Sequence, residues 1–299
     1  MPFIVLLKAE SCARSVQVIV KSGEEYYESV HSSGGYQKLC GRREEKTELS
    51  VFRMLVLGIL AGMFIALGAA VTNTAAHTIT DVSTARIICG LLFPAGLSLV
   101  ILMGGELFTG NCLISISVLE KETTTGMMLK NWLFVYIGNF IGSIIVAAGC
   151  AYFGQMNYSG GGLAVFTMKL AATKASLPMG NAIVLGFFCN VLVCFAVLCS
   201  LEAKDVTGRI VGTFLPIASF VICGFEHSVA NMYYIPAGIF ASHVPAYAAK
   251  AAEAGLDLSM LTWGNFLIKN LIPVTIGNIL GGVFVGASMW LGHVYRQKK

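Results

Sequence analysis

Two polar stretches interrupt the apolar part of this chain: Gly105-Glu106-Leu107-Phe108-Thr109-Gly110-Asn111 and Gly224-Phe225-Glu226-His227-Ser228-Val229-Ala230-Asn231. Each lies inside an apolar stretch that is too long for one simple membrane crossing of about 20 residues. Each also combines glycine with a carboxylate, a side chain that is costly to place in hydrocarbon. The two stretches therefore predict membrane helices that are broken at these positions.

The composition agrees with a membrane protein. Of the 299 residues 12% are charged and 56% are hydrophobic, and the mean hydropathy is +0.75. Four runs contain no Asp, Glu, Lys or Arg: residues 54–80, 131–168, 175–201 and 270–295. Apolar runs of this length are typical of membrane-spanning helices. These values argue against a soluble enzyme, a disordered chain and a nucleic-acid binder, so we expect no nucleic-acid partner.

The hydropathy pattern predicts an all-α integral membrane protein with six spans, near residues 54–77, 87–118, 131–153, 179–201, 210–241 and 264–292. Before them lies a polar segment, residues 1–50, which we expect to be cytoplasmic. The transport domain is predicted over residues 51–295, followed by a short cytoplasmic C-terminus, residues 296–299.

An internal repeat relates the two halves of the apolar region. Lys130-Asn131 is followed by Gly138-Asn139 and Gly142, and the same residues at the same spacing recur 139 positions later, from Lys269-Asn270 to Gly277-Asn278 and Gly281. The two interrupted spans match each other as well. Because each half has three spans, the halves must have opposite orientations in the membrane. Inverted repeats with discontinuous helices are typical of transport proteins.

The distribution of Lys and Arg sets the orientation. With the N-terminus inside, the inner segments hold 15 of these residues and the outer segments hold five. Both termini are therefore predicted to be cytoplasmic, in a multi-pass protein of the cell membrane.

Ionisable residues inside the membrane are the first candidates for function. Glu106 and Glu226 lie at the predicted breaks, where a carboxylate could accept from free backbone N–H groups or could carry protons. His227 has no counterpart in the first half, where the matching residue is Leu107. An imidazole there could line a pore and titrate near neutral pH, or it could be a hydrogen-bonded core residue.

Three further polar residues could serve the same pore. The Thr109 hydroxyl could bind a passing solute or cap the following half-helix. Asn190 interrupts an apolar run, so its amide needs a partner, a pore or the backbone at a helix break. Lys174 precedes span four and could concentrate anions at a pore mouth, or it could be a solvated loop lysine.

Several signatures of other functions are missing from the sequence. It contains no phosphate-binding GxxxxGK[ST] loop, no HExxH and no Cys/His cluster with zinc spacing. Seven of the nine cysteines lie in or beside predicted helices, where cysteine is a small apolar filler. We expect no metal site, no cofactor and no enzymatic activity.

The two polar stretches, together with Asn270-Leu271-Ile272-Pro273-Val274-Thr275-Ile276-Gly277-Asn278, closely resemble the motifs of the formate/nitrite transporter family. The resemblance covers about residues 50–292. It implies an aquaporin-like fold and a homopentamer in the lipid bilayer with one pore in each protomer. It also implies passive or proton-coupled passage of small monovalent anions or their acids: formate, nitrite, acetate, lactate or hydrosulfide.

The resemblance further assigns roles by motif position. It makes His227 the central pore histidine, faced by Thr109, and it makes Asn190 and Lys174 further functional residues. Phe93 and Phe220 would form one constriction, and Leu97 and Leu107 the other. Gly105, Gly224, Asn111 and Asn231 join the two glutamates as structural residues of the breaks. The alternative function is a channel for neutral solutes such as water or glycerol, which would need no titrating residue.

Overall fold

The computed structural model describes residues 45–295, and within this range the chain is all-helical. The prediction for most of residues 1–50, and the one for residues 296–299, lies outside the described residues. Six helices are long and apolar enough to cross a membrane, as the sequence predicts: Val51–Ala76, Val82–Leu102, Thr125–Tyr152, Met179–Glu202, Val206–Cys223 and Asn265–His293.

We number the α-helices along the chain: α1 (Val51–Ala76), α2 (Val82–Leu92), α3 (Pro94–Leu102), α4 (Phe108–Asn111), α5 (Ser115–Leu119), α6 (Thr125–Tyr152), α7 (Tyr158–Ala175), α8 (Met179–Glu202), α9 (Val206–Cys223), α10 (Ser228–Ser242), α11 (Pro245–Glu253) and α12 (Ile272–Trp290). A 3₁₀ turn, Cys112–Ile114, joins α4 to α5. A π-helix, Asn265–Leu271, precedes α12, and another, Leu291–Tyr295, follows it.

Several helices begin at a side-chain cap. Ser50, Asp81, Thr124 and Asp205 each accept a hydrogen bond from a backbone N–H of the first turn that follows. Such caps satisfy N–H groups that a helix leaves without a partner and are each worth about 1 kcal/mol. These polar residues therefore fix where the apolar helices start.

The chain leaves the helical conformation at residues 103–107 and 224–227, at the start of each polar stretch. The single long helices that the hydropathy suggests at 87–118 and 210–241 are thus several shorter helices. Gly224 ends α9 with a positive φ of 71°, a conformation that a residue with a Cβ rarely adopts.

Glycines bring two helix pairs into close contact: α1 packs along α6, and α8 packs along α12. A Cβ on Gly142 would overlap the backbone oxygen of Ile59, and a Cβ on Gly281 would overlap that of Phe187. Small residues at such positions let two helix backbones approach each other closely.

Two helices were not anticipated from the sequence, α7 and α11, which pack against each other. In α7 the residues Ser159, Gly160 and Gly161 have left-handed backbone angles, so the helix is kinked near its start. The glycine-rich sequence there reads as a loop, and for this reason it hides the helix that follows.

Candidate functional site

The centre of the site is a contact between the two polar stretches. His227 Nε2 lies 3.0 Å from Thr109 Oγ1. Both residues are buried, with 3% and 0% of their surfaces exposed. Each stands at the start of a short helix that follows a break, α10 for His227 and α4 for Thr109. The two breaks therefore meet at one hydroxyl and one imidazole.

The hydrogen bonds of His227 define its protonation. Its Nδ1 accepts from the backbone N–H of Ala230, at 3.1 Å, and so caps α10. Because an N–H can only donate, Nδ1 must be unprotonated, and the ring proton of the neutral form lies on Nε2. Nε2–H then donates to Thr109 Oγ1, and the Thr109 hydroxyl keeps its own proton for another acceptor.

Apolar residues lie on both sides of this pair. The rings of Phe93 and Phe220 meet edge to face with their centroids 5.6 Å apart, and the Phe220 ring stacks on that of His227 at 5.9 Å. Leu97 and Leu107 line a cavity of about 510 Å³ on the other side. All four side chains named as constrictions are buried.

A buried ion pair lies at the break before α10, one residue from His227. Lys174 Nζ is 2.7 Å from Glu226 Oε1, and Asn231 Nδ2 donates to Glu226 Oε2 at 2.6 Å. Asn231 Nδ2 also donates to Asn270 Oδ1, and Asn270 Nδ2 donates to the backbone oxygen of Lys174. Lys174 belongs to the last turn of α7, with its side chain 15% exposed, so it is not a solvated loop lysine. We call this end of the molecule the Lys174 mouth.

A matching ion pair lies at the opposite end, and the sequence reasoning missed its lysine. Lys46 Nζ is 2.6 Å from Glu106 Oε1, and Asn111 Nδ2 donates to Glu106 Oε2 at 2.6 Å. Asn111 Nδ2 also donates to Asn131 Oδ1, and Asn131 Nδ2 donates to the backbone oxygen of Lys46. Lys46 lines the 510 Å³ cavity, which we call the Lys46 vestibule.

A signal for Lys46 was present in the sequence. It precedes α1 by five residues, just as Lys174 precedes α8 by five. Lys46 stands in a run of mixed charges, residues 41–46, which reads as a solvated segment and hides this correspondence.

Two asparagines hold the breaks in place. Asn139 Nδ2 donates to the backbone oxygens of Gly58 and Glu106, both at 2.8 Å, while its Oδ1 accepts from the N–H of Phe108. In the same way, Asn278 Nδ2 donates to the backbone oxygens of Gly186 and Glu226, and its Oδ1 accepts from the N–H of Ser228.

These contacts differ from one expectation for the glutamates. In the described contacts, neither Glu106 nor Glu226 accepts a backbone N–H of the following half-helix with its carboxylate, because a lysine and an asparagine side chain occupy its two oxygens. Asn139 and Asn278 accept these N–H groups and so fill the capping role instead.

Asn190 joins two distant parts of the backbone. Its Nδ2 donates to the oxygen of Thr109 at 3.2 Å and to that of Asn278 at 2.6 Å. Of the partners considered from the sequence, the structure gives it the backbone at a helix break. Asn190 therefore positions the residue that faces His227.

The described residues contain no group of three or more His, Cys, Asp and Glu that could hold a metal ion. What the arrangement offers is a buried pair of hydrogen-bond groups, apolar side chains on both sides of it, and a lysine–glutamate pair at each end. This combination suits the passage of a small polar or ionised solute better than it suits a reaction.

A family model described as "Formate/nitrite transporter" matches residues 34–291. A probable formate transporter of Methanothermobacter thermautotrophicus is 35% identical over 88% of this chain and 97% of its own length. The formate channel FocA of Haemophilus influenzae is 36% identical over 77% of this chain and 83% of its own length.

Solved structures agree with the sequence relatives. A pentameric formate channel with formate bound is 34% identical, with a TM-score of 0.72 over 82% of this chain and 98% of that one. An FNT family ion channel is 26% identical, with a TM-score of 0.73 over 87% of this chain and 99% of that one.

Proposed function

Because this chain belongs to the formate/nitrite transporter family, we propose that it carries small monovalent anions, or their conjugate acids, across a membrane. Formate and nitrite are the first candidates, since the relatives named above are described as formate channels and transporters. The single observation that carries this proposal is the buried His227–Thr109 pair, placed between two lysine–glutamate pairs. The protein is integral to a membrane, in accord with its family and its six apolar helices.

We further propose that the helices form two inverted three-helix repeats in an aquaporin-like arrangement, with broken second and fifth spans. The two polar networks support this, because each residue of one has a counterpart in the other. Tyr136 OH lies 2.8 Å from Thr275 Oγ1, and these two residues are themselves equivalent positions, 139 apart. A contact between equivalent positions is expected where a two-fold axis passes between the halves.

For the orientation, the excess of Lys and Arg favours a cytoplasmic Lys46 vestibule and an outer Lys174 mouth. Residues 51–295 would form the transport domain between the cytoplasmic segments 1–50 and 296–299, with Lys46 joining the first segment to it. We propose a homopentamer with one pore in each protomer, since a solved relative is described as a pentameric channel.

The physical problem for such a pore is the charge of its solute. A bare carboxylate-sized ion in a medium of low dielectric constant carries an idealised cost of order 20 kcal/mol, which the neutral acid mostly avoids. The cationic end of the Lys174–Glu226 pair would attract the anion to the outer mouth. Desolvation between Phe93 and Phe220 would then raise its basicity, and it would cross the apolar segments as the neutral acid.

His227 would act as a neutral hydrogen-bond donor in this mechanism. If Nδ1 were protonated, its N–H would face the N–H of Ala230 and the cap of α10 would be lost. The proton would therefore come with the solute from water, and Nε2–H and the Thr109 hydroxyl would bind its oxygens during passage. The rival mechanism is anion conduction, with a charged His227 as the counter-ion.

The proposed function is tested in proteoliposomes that are offered formate, nitrite, acetate, lactate or hydrosulfide at several pH values, with the internal pH recorded. We expect saturable uptake of at least one of these solutes, with internal alkalinisation if a proton crosses with it. Passage of glycerol or water, with none of the anions, would overturn the proposal and favour a neutral-solute channel.

A further inference from the structure

Arg86 is a cation that none of the networks above uses. It lies in the first turns of α2, and its side chain is exposed. Its guanidinium lies over the break before α10: a Cβ on Gly224 would be 3.2 Å from one terminal nitrogen and 3.4 Å from the other. Gly224 is two residues from Glu226, so Arg86 stands beside the Lys174 mouth.

The guanidinium of Arg86 has N–H donors that neither ion pair uses. The ion pairs among the described residues are those of Lys46 and Lys174, and Arg86 is in neither. The nearest acidic residue in the sequence, Asp81, uses Oδ1 to accept from the N–H and the hydroxyl of Thr84. A guanidinium has five N–H donors in a fixed fork that fits the two oxygens of a carboxylate.

A second basic group shares this mouth. Lys174 Nζ lies 5.5 Å from the centre of the Tyr234 ring, and the Tyr234 hydroxyl lies 2.9 Å from Thr72 Oγ1. Lys174 is paired with Glu226, two residues along the chain from Gly224, over which the Arg86 guanidinium lies. Because Glu226 pairs with Lys174, Arg86 is the one of these two cations that is in neither of the ion pairs between described residues.

We propose that Arg86 is the docking residue of the Lys174 mouth, where its guanidinium binds both oxygens of a formate- or nitrite-like anion before the anion reaches Lys174. This rests on the proposed function and adds to it a residue that favours anions with two oxygens over an anion with a single heavy atom, such as hydrosulfide. The Lys46 vestibule is lined by its own cations, Lys46 and Arg53, and Arg86 is not among its lining residues.

The test measures transport in each direction separately. Formate influx is followed in intact cells and the opposite flux in inside-out vesicles, for the wild type, Arg86→Gln and Arg86→Lys. Lys269→Gln is the matched control, because it removes one exposed positive charge that is predicted to lie on the same side. For a passive pore, a substitution must change Vmax/KM by the same factor in both directions. The quantity that can change in one direction only is therefore KM.

For Arg86→Gln we expect the KM of formate influx to rise about threefold to fivefold, the range of an exposed ion pair. The KM of the opposite flux and both KM values of Lys269→Gln should stay unchanged. Raising the salt from about 0.01 M to 0.15 M should weaken influx binding in the wild type more than in Arg86→Gln. Arg86→Lys should keep the salt dependence and the hydrosulfide KM but raise the formate KM.

Two other results have clear meanings. An unchanged influx KM in Arg86→Gln, or a fall of Vmax in both directions with KM unaltered, would overturn the docking role and leave Arg86 as a structural partner of the break. If the wild type transports none of the anions, the proposed function fails instead, and the two failures are thus distinguishable.

Discussion

At the scale of single residues, the buried charges come in neutral sets. Glu226 and Glu106 are each held by one lysine and one asparagine, so neither carboxylate is left unpaired in an apolar interior. A buried ion pair adds little stability over an apolar pair, yet removing one partner leaves an uncompensated charge. The pairs therefore supply an electrostatic field at each mouth without a large net charge.

We predict that Glu226→Gln and Lys174→Met will each lower the free energy of unfolding by about 3 kcal/mol, because each leaves its partner buried and unpaired. The double variant should lose less unfolding free energy than the sum of the two single losses. We expect a coupling energy of at least about 1 kcal/mol between the two positions. Thermal unfolding in detergent measures this. The same changes at Glu106 and Lys46 are the control, and they should cost less because Lys46 is more exposed, at 24%. Additive losses would mean that the pair does not act as a unit.

A second residue-scale prediction concerns His227→Asn. Asparagine is itself a good N-cap, so α10 should persist while the Nε2–H donor is lost. The rate of formate uptake should fall roughly fivefold, which corresponds to the net free energy of about one hydrogen bond. Formate uptake should still rise as the pH falls. The rise should be about tenfold per pH unit while the solute is almost fully ionised, because the neutral fraction grows by that factor. A variant whose uptake no longer depends on pH would show instead that His227 carries the proton.

At the scale of helices, close backbone contacts set the geometry of the site. The oxygens of Gly58 and Gly186, which bind Asn139 and Asn278, lie on α1 and α8 where those helices press against α6 and α12. The same glycines that allow close packing therefore bring the asparagines within reach of the breaks.

We predict that Gly142→Ala and Gly281→Ala will each destabilise the protein by about 2 kcal/mol, because the new methyl group meets backbone that cannot turn away. Gly149→Ala is the matched control: it lies on α6 with nothing near its Cβ position, and it should stabilise by about 0.5–1 kcal/mol. Unfolding midpoints of the three variants test this. Equal midpoints would show that the packing tolerates a methyl group at these contacts.

The sequence predicts helices better than it predicts partners. Six spans are confirmed because long uncharged runs have few other stable structures in a bilayer. The asparagines of the repeat are visible in the sequence, but their hydrogen bonds are not, since these join distant residues: Asn139 and Glu106 are 33 residues apart, and Asn278 and Glu226 are 52 apart. Lys46 was hidden by its charged neighbours, and α7 by its three left-handed residues.

At the scale of the whole molecule, much apolar surface remains exposed in a single protomer, including Leu133, Phe284, Ile145 and Leu280. In a bilayer, lipid would cover such a surface, and in the proposed pentamer neighbouring protomers would cover part of it. If each protomer has its own pore, assembly into a pentamer of 31.8 kDa chains would place the pores beside one another, without sharing the solute among them.

We predict that pores in one assembly work independently. Wild-type chains and His227→Phe chains, co-expressed with different tags, should form mixed pentamers whose formate uptake falls in proportion to the variant fraction. Uptake and the subunit ratio of the purified mixture measure this, with a mixture of separately purified pentamers as the control. A steep loss at low variant fractions would point to one pore shared by all the protomers.

The contact of Tyr136 with Thr275 has a consequence for ancestry. Two identical three-helix chains related by a two-fold axis would have the same residue at both positions, either two long side chains or two short ones. A long tyrosine that meets a short threonine at 2.8 Å is possible only when the two halves differ in sequence. The same holds for His227, whose counterpart in the first half of the sequence is Leu107. After a gene duplicates and fuses, its two copies can change in sequence independently. A pore with a single imidazole could arise in this way.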